Sequence, residues 1–157
     1  MSPRAAARLA SIGFTRVFDY VAGKADWGAA GLPLEGKSGS ATRVGAHARR
    51  DVPTCRLDEP LAEIRERVRR ADWDTCFVID EEGVVLGRLG RSALQSDDEL
   101  SVEQAMTRGP STIRPSARLN DVVARMRRQN LSNLPVTTSD GQLVGLLARE
   151  DAERATG

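Results

Sequence analysis

Histidine is almost missing from this sequence: His47 is the only one, and it sits in a stretch that reads as flexible. Multi-histidine metal sites are excluded, and a catalytic triad built on histidine is not expected. Cysteine is equally sparse. Cys55 and Cys76 show no CxxC spacing and follow no signal peptide, so neither a disulfide framework nor a zinc site is expected. Both fall on predicted strands and read as reduced, buried thiols of a cytoplasmic protein. Aromatic residues make up 4% of the chain, too few for a surface that stacks bases. No apolar run approaches the roughly 20 residues that a membrane span needs. Charge of one sign is lacking too, since 23 basic and 22 acidic side chains leave a net charge of +1. No global field draws this chain to nucleic acid or to a membrane surface. Lysine is confined to Lys24 and Lys37, the remaining basic residues being arginines, as genome composition alone would produce.

What the sequence does have is an internal repeat. Sliding the chain on itself by 58 positions aligns Thr54 with Thr112, Arg56 with Arg114, Leu61 with Leu119 and Arg67 with Arg125. The same shift aligns Val78 with Val136, Gly83 with Gly141, Gly87 with Gly145 and Leu89 with Leu147. No insertion is needed, so residues 52 to 97 and 110 to 157 read as two copies of one unit.

Each copy has the same local grammar. An extended piece (VPTCR; STIRP) precedes a helix opened by Asp58 with Pro60 in its first turn, or by Ser116. Leu61, Ile64 and Val68 form one apolar stripe; Leu119, Val122, Val123 and Met126 form the other. A strand (CFVID; LPVTT), a glycine turn (EEG; SDG), a second strand (VVLGRL; QLVGLLA) and a helical end follow, which is a hairpin signature. One such unit cannot cover its own sheet face. Two units can cover each other, with ligand-sized clefts at the junction. The arginine-rich helices also carry Asp58, Glu59, Glu63, Glu66, Asp72 and Asp121, so they read as salt-bridged faces, with Glu63 and Arg67 one spacing that suits a pair.

Upstream, PRAAARLASIGF has an apolar face at Ala6, Leu9 and Ala10 and a stop at Gly13, which predicts a helix. TRVFDY predicts a short buried strand and KADWGAAGLPLEG a helical turn and exit. Residues 37 to 51 (KSGSATRVGAHARRD) lack apolar periodicity and read as a linker. The organisation expected is therefore a segment at 1–36, a linker at 37–51 and repeats at 52–105 and 106–157.

The stretch MTRGPSTIRPSARLNDVVARMRRQNLSNLPVTTSDGQLVGLLARED resembles a cystathionine-beta-synthase (CBS) domain element by element. The resemblance lies in the Met-Thr entry, the LPV strand, the glycine hairpin and the ending in which Asp151 follows Gly145 at a fixed distance. VPTCRLDEPLAEIRERVRRADWDTCFVIDEEGVVLGRLGRSAL is similar to a weaker copy. The pair resembles a Bateman module. This implies an α+β fold of two β-α-β-β-α repeats related by a pseudo-twofold, preceded by a short helix-strand-helix segment.

The resemblance also implies a site. In CBS pairs that bind adenosine compounds the closing aspartate accepts ribose hydroxyls, and a hydroxyl residue three positions earlier meets phosphate. Asp151 matches the first position and Ala148 does not match the second, while Gly90 and Ala93 match neither in the other copy. Arg149 is the implied substitute at the phosphate. Ser132, Asn133 and Leu147 of the second copy and Thr54 and Cys55 of the first would complete the site, with Thr112, Ile113 and Pro135 lining the pseudo-symmetric cleft. The likeness thus implies a non-enzymatic regulatory protein that requires no cofactor. It is expected to be a homodimer answering to AMP, ATP or S-adenosylmethionine and read by an unknown protein partner, with no nucleic-acid or membrane role. Trp73 is placed at the cleft mouth or a dimer interface.

Residues 1 to 36 are similar to the C-terminal part of a rhodanese domain, in SPRAAARLASIGFTRVFDYVAGKADWGAAGLPLEG. No cysteine precedes Cys55, so the loop that carries the rhodanese nucleophile is missing and sulfur transfer is not implied. Two other readings stand beside the sensor: an interaction scaffold with a relic cleft, and a fragment of a rhodanese-like sulfurtransferase.

Overall fold

The structure, a computed structural model, describes residues 3–18, 27, 42–96 and 100–156. In the first repeat the helix α2 (Leu61–Arg70) buries Leu61, Ile64 and Val68, the stripe its spacing dictates. In the second, α5 (Leu119–Arg128) buries Leu119, Val122, Val123 and Met126. Each fully buried aliphatic side chain of this size contributes about 1.5–3 kcal/mol of transfer free energy. Both stripes cover a sheet: β1 (Thr54–Cys55), β2 (Cys76–Ile79) and β3 (Val85–Leu89) in one repeat, β5 (Asn133–Thr137) and β6 (Leu143–Ala148) in the other. Short helices α3 (Arg91–Leu94) and α6 (Arg149–Arg154) close the repeats, as the sequence predicts.

The two repeats match in register. Cys55 pairs with Val78 in parallel, and Ile113 bridges Val136 in the same sense 58 positions on. The hairpins turn at Gly83 and Gly141, with φ of +82° and +87°, a region open to glycine at little cost. Both helices end on a residue in the left-handed region, Asp72 in one and Asn130 in the other. Val84 forms a bridge with Gln142, its own equivalent in the repeat, so the pseudo-twofold axis runs through that contact.

Residues 42–50, read from the sequence as linker, are docked on the second repeat. Val44 in a 3-10 turn (Val44–Ala46) is fully buried in the core of that repeat, and the His47 N–H donates to the Val44 carbonyl at 2.9 Å. Arg49 exchanges both backbone hydrogen bonds with Leu146, at 2.9 and 2.8 Å, in an antiparallel bridge on the edge of β6. Equivalent residues at the start of the second repeat do the converse. After a one-turn helix α4 (Val102–Ala105) with a Ser101–Gln104 capping box, β4 (Thr107–Arg108) adds to β3. Each repeat therefore lends its leading segment to the other's sheet, by the Arg49 bridge in one case and by β4 in the other. The arm makes its hydrogen bonds far along the chain, and within it only Val44 is fully buried, so it has no local apolar period.

Further corrections concern the ends. α2 starts after Pro60 and α5 after Arg118, neither with a side-chain cap, so Asp58 and Ser116 are not the caps. Instead the Glu59 carboxylate accepts the Arg56 N–H at 2.6 Å, and the Ser116 carbonyl accepts from Arg43 at 2.9 Å. Arg67 pairs with Glu59 rather than Glu63, and Glu66 takes Arg69 and Arg70 at 3.0 and 2.9 Å. The first helix, α1 (Pro3–Ser11), forms as expected and Gly13 follows it at φ +101°. Of the strand expected over 15–20, residues 15–18 are irregular and Phe18 is 76% exposed rather than buried, while residues 19 and 20 lie outside the described residues. Of the turn expected after them only Trp27, in helical conformation, lies within the described residues.

The described residues hold three apolar clusters. One fills each repeat, and a third of Val52, Phe77 and Leu146 joins residues of both.

Candidate functional site

A cleft of about 410 Å³ opens where the two repeats meet. The first repeat supplies Asp72, Trp73 and Asp74, the residues that leave α2. The second supplies Ser132 and Asn133 at the start of β5, Leu146 and Ala148 from β6, and Arg149 and Glu150 from the first turn of α6. The docked arm supplies Arg49. The Arg149 N–H donates to the Ser132 carbonyl at 2.8 Å, tying two of these walls together.

Arg49 dominates the electrostatics. Its guanidinium carbon lies 4.1 Å from the centre of the Trp73 ring, within cation-π range. Asp51 holds it from behind through Nε at 3.3 Å and Nη2 at 2.9 Å. That hydrogen bond raises the Arg49 pKa, burial works against it, and the charges of Asp51, Asp151 and Asp72 raise it further. The same hydrogen bond from Arg49 holds the Asp51 carboxyl below its ordinary value. The Trp73 indole N–H is buried, near Asp51 but outside hydrogen-bonding geometry. The Oδ1 of Asn133 is buried with no hydrogen-bond partner. A buried amide atom left unpaired costs on the order of 1–3 kcal/mol, which a donor entering the cleft would recover.

Of the residues expected at the site, the cleft gathers Ser132, Asn133, Ala148 and Arg149. Asp151 stands one position beyond Glu150 in α6, its side chain 35% exposed and 3.2 Å from Arg154. Leu147 is fully buried behind the wall in the core of the second repeat, and Pro135 is buried in β5. Thr112 and Ile113 run beside β5, where the Ile113 N–H donates to the Pro135 carbonyl at 3.0 Å; they belong to the same repeat as Asp151. Thr54 and Cys55 are not brought to this cleft. They pair with Phe77 and Val78 in the first repeat's sheet, and Cys55 is buried in that repeat's core.

Arg49, Asp72 and Asp74 line the cleft without having been singled out for it. A signal for Arg49 existed: the 58-residue shift also aligns Val44 with Val102 and Arg50 with Arg108, which extends the first repeat upstream.

The arrangement suits binding. It offers one aromatic ring, an unsatisfied amide, a hydroxyl, carboxylates at Asp72, Asp74 and Glu150, and the cations Arg49 and Arg149. Among the described residues no group of three or more His, Cys, Asp or Glu is placed to hold a metal ion. No helix among them is long and apolar enough to cross a membrane.

Comparisons place the chain among known proteins. It is 27% identical over 104 residues to inosine-5'-monophosphate dehydrogenase of Mycobacterium bovis, a match covering 64% of this chain and 20% of that enzyme. The chain thus spans about a fifth of that curated relative. Among solved structures it resembles the CBS domain pair of protein MJ0100 in complex with 5'-methylthioadenosine and S-adenosyl-L-methionine. The TM-score is 0.64 at 21% identity, over 74% of this chain and 97% of that one. It also resembles CBSX2 of Arabidopsis thaliana, solved in complex with AMP, with a TM-score of 0.64 at 22% identity over 73% and 95% of the two chains. The CBS domain family matches residues 44–95 and 102–156, the two units that the register relates by a pseudo-twofold. With both halves of its symmetric core matched, the chain belongs to the CBS domain family as a tandem pair.

Proposed function

We propose that this protein is a regulatory CBS pair that binds an adenosine-type ligand, such as AMP, ATP or S-adenosylmethionine, in the cleft between Trp73 and Asn133. The observation that carries this reading is the unpaired Asn133 Oδ1 buried in a nucleoside-sized cleft beside an aromatic ring. An exocyclic amine such as that of adenine offers the missing donor. Asp151, on the first turn of α6, supplies a carboxylate for ribose hydroxyls. Arg149 stands where a phosphate would be met in place of the hydroxyl that Ala148 lacks. CBS pairs of similar fold bind AMP, or 5'-methylthioadenosine and S-adenosyl-L-methionine, which supports the ligand class.

The role is regulatory rather than catalytic, with no required cofactor. Both repeats and the docked arm form the cleft walls, so a ligand that prefers one relative packing shifts the population toward it, and a protein partner reads the difference. The exposed faces of α2 and α5 are the surfaces on which a homodimer would form. Residues 1–36 are read as a rhodanese-derived segment without chemistry of its own.

The test is a thermal-shift series with AMP, ATP, S-adenosylmethionine and adenosine on the wild type and on Asp151→Ala. A ligand at 100 times its dissociation constant adds about 2.7 kcal/mol of stability to the folded state. The reading predicts a rise in Tm for at least one compound, reduced by Asp151→Ala. If none of the four moves Tm at millimolar concentration, the chain is an interaction scaffold and its cleft a relic.

A further inference from the structure

The Trp73 ring is the flat surface that the inter-repeat cleft offers a base, and the protein already covers it. The Arg49 guanidinium carbon stands 4.1 Å from the ring centre. That is closer than the roughly 4.5–7 Å between the centres of stacked rings, so guanidinium and base compete for one face. The ring itself is fixed. It packs against the first repeat's core and against the cluster that joins the repeats, and does not turn to offer the cleft another face.

Nor does the arm give way. Arg49 exchanges both backbone hydrogen bonds with Leu146, Val44 is buried in the second repeat's core, and a Cβ on Gly145 would run into the Arg49 carbonyl. What is left to move is the Arg49 side chain, a long stem that is 48% exposed. Its hold is slight. Asp51, which takes Nε at 3.3 Å and Nη2 at 2.9 Å, is 61% exposed, and an ion pair so placed contributes little. The buried Trp73 indole N–H has no hydrogen-bond partner, and Asp51 is near it. When the guanidinium leaves, this carboxylate is free to accept from the indole, so the displaced state gains a hydrogen bond that the resting state lacks.

We infer that Arg49 is a tethered competitor of the base, seated on the Trp73 ring until a ligand displaces it, and that it thereby selects phosphorylated over unphosphorylated nucleosides. Selection follows from what the guanidinium meets on leaving. Adenosine brings no anion, so the lost ring contact is not replaced. AMP brings a phosphate into the same cleft, and a guanidinium matches two of its oxygens in bidentate geometry. The inference rests on the adenosine-type reading of the cleft and adds to it a lining residue that opposes binding.

Calorimetric titration of the full chain with adenosine and with AMP, at constant ionic strength, tests this on the wild type, Arg49→Ala and Arg49→Lys. Arg49→Ala should bind adenosine about two- to fivefold more tightly than the wild type, the factor that an exposed cation-π pair represents. AMP should gain less or lose affinity, so the preference for AMP over adenosine falls. Arg49→Lys, which keeps the charge but not the planar fork, should lie between the two and carries the same test if Arg49→Ala does not fold. A residue that merely shaped the cleft would weaken both ligands when removed. Adenosine binding that is unchanged or weaker in the folded variants overturns the inference and leaves the adenosine reading standing. Adenosine binding that appears only in Arg49→Ala supports the inference and shows the wild-type cleft closed to the unphosphorylated nucleoside. If neither ligand binds any of the three proteins, the inference and the reading beneath it both fall.

Discussion

Arg49 and Trp73 face each other across the mouth of the inter-repeat cleft, guanidinium over indole at 4.1 Å, one on the docked arm and the other just beyond α2. The contact fastens an arm that belongs to the second repeat's sheet onto the end of the first repeat's helix. It also covers the ring face that a flat ligand would use, so a stacked ligand must slide beside the guanidinium or replace it.

Replacing Arg49 by Ala therefore has a spectroscopic signature. In a Trp27→Phe background, where Trp73 is the sole tryptophan, Arg49→Ala should shift the emission to the red as the ring gains water. The accompanying loss of stability should be about 0.5–1 kcal/mol, the range of an exposed cation-π pair. An unchanged emission maximum would mean that the pair is not formed in solution.

Gly145 and Gly87 occupy equivalent positions under the two exchanged strands, yet their substitution should differ in cost. A Cβ on Gly145 would run into the carbonyl of Arg49 and lie 3.5 Å from the Ala48 Cβ. Backbone there must move, so Gly145→Ala should destabilise the fold by about 1–3 kcal/mol. A Cβ on Gly87 would first meet the Met106 side chain, whose flexible end can turn aside. Chemical denaturation of the two variants should rank Gly145→Ala as the more damaging; the reverse order would argue against the docked arm.

Acid should loosen the start of α2. Burial alone would raise the Glu59 pKa, but the hydrogen bonds from Arg67 and from the Arg56 N–H outweigh it and hold the carboxyl below its ordinary value of 4.5. The stabilisation is present above that pH and lost as pH falls through the depressed folded value. Unfolding free energy measured from pH 6 downward should fall less steeply in Glu59→Gln than in the wild type. Parallel curves would remove Glu59 from the acid response.

The two thiols should be inert in the native protein. A hydrogen bond with Cys55, together with burial, pushes the Cys76 thiol up, and both side chains are buried in the first repeat's core. A thiol-specific disulfide reagent should titrate neither until denaturant is added. Rapid labelling without denaturant would show that this half of the core opens readily.

Much of this architecture was legible in the residues. The shift of 58 positions, the turn glycines at 83 and 141 and the two apolar stripes are local patterns, and local patterns survive as periodicity. Thr54 and Cys55 were expected at the same cleft as Asp151, and they pack in the other half of the molecule. A linear sequence does not state which wall of a symmetric pair faces which cleft. Asp58 and Ser116 have the chemistry of helix caps, but the backbone enters each helix two residues later. The arm at 42–50 leaves little trace in its own neighbourhood, because the partner of its Arg49 bridge, Leu146, lies far along the sequence. Even so, the alignment of Val44 with Val102 was there to be read.

That arm also orders events in time. Arg49 is synthesised well before its partner Leu146. As the chain grows from its N-terminal end, the arm has no sheet to join until β6 has emerged and folded. Contacts of such separation form late and slowly. A ribosome-bound chain stopped before β6 would thus present residues 42–50 as an open strand, exposed to chaperones or to the same segment of a neighbouring nascent chain.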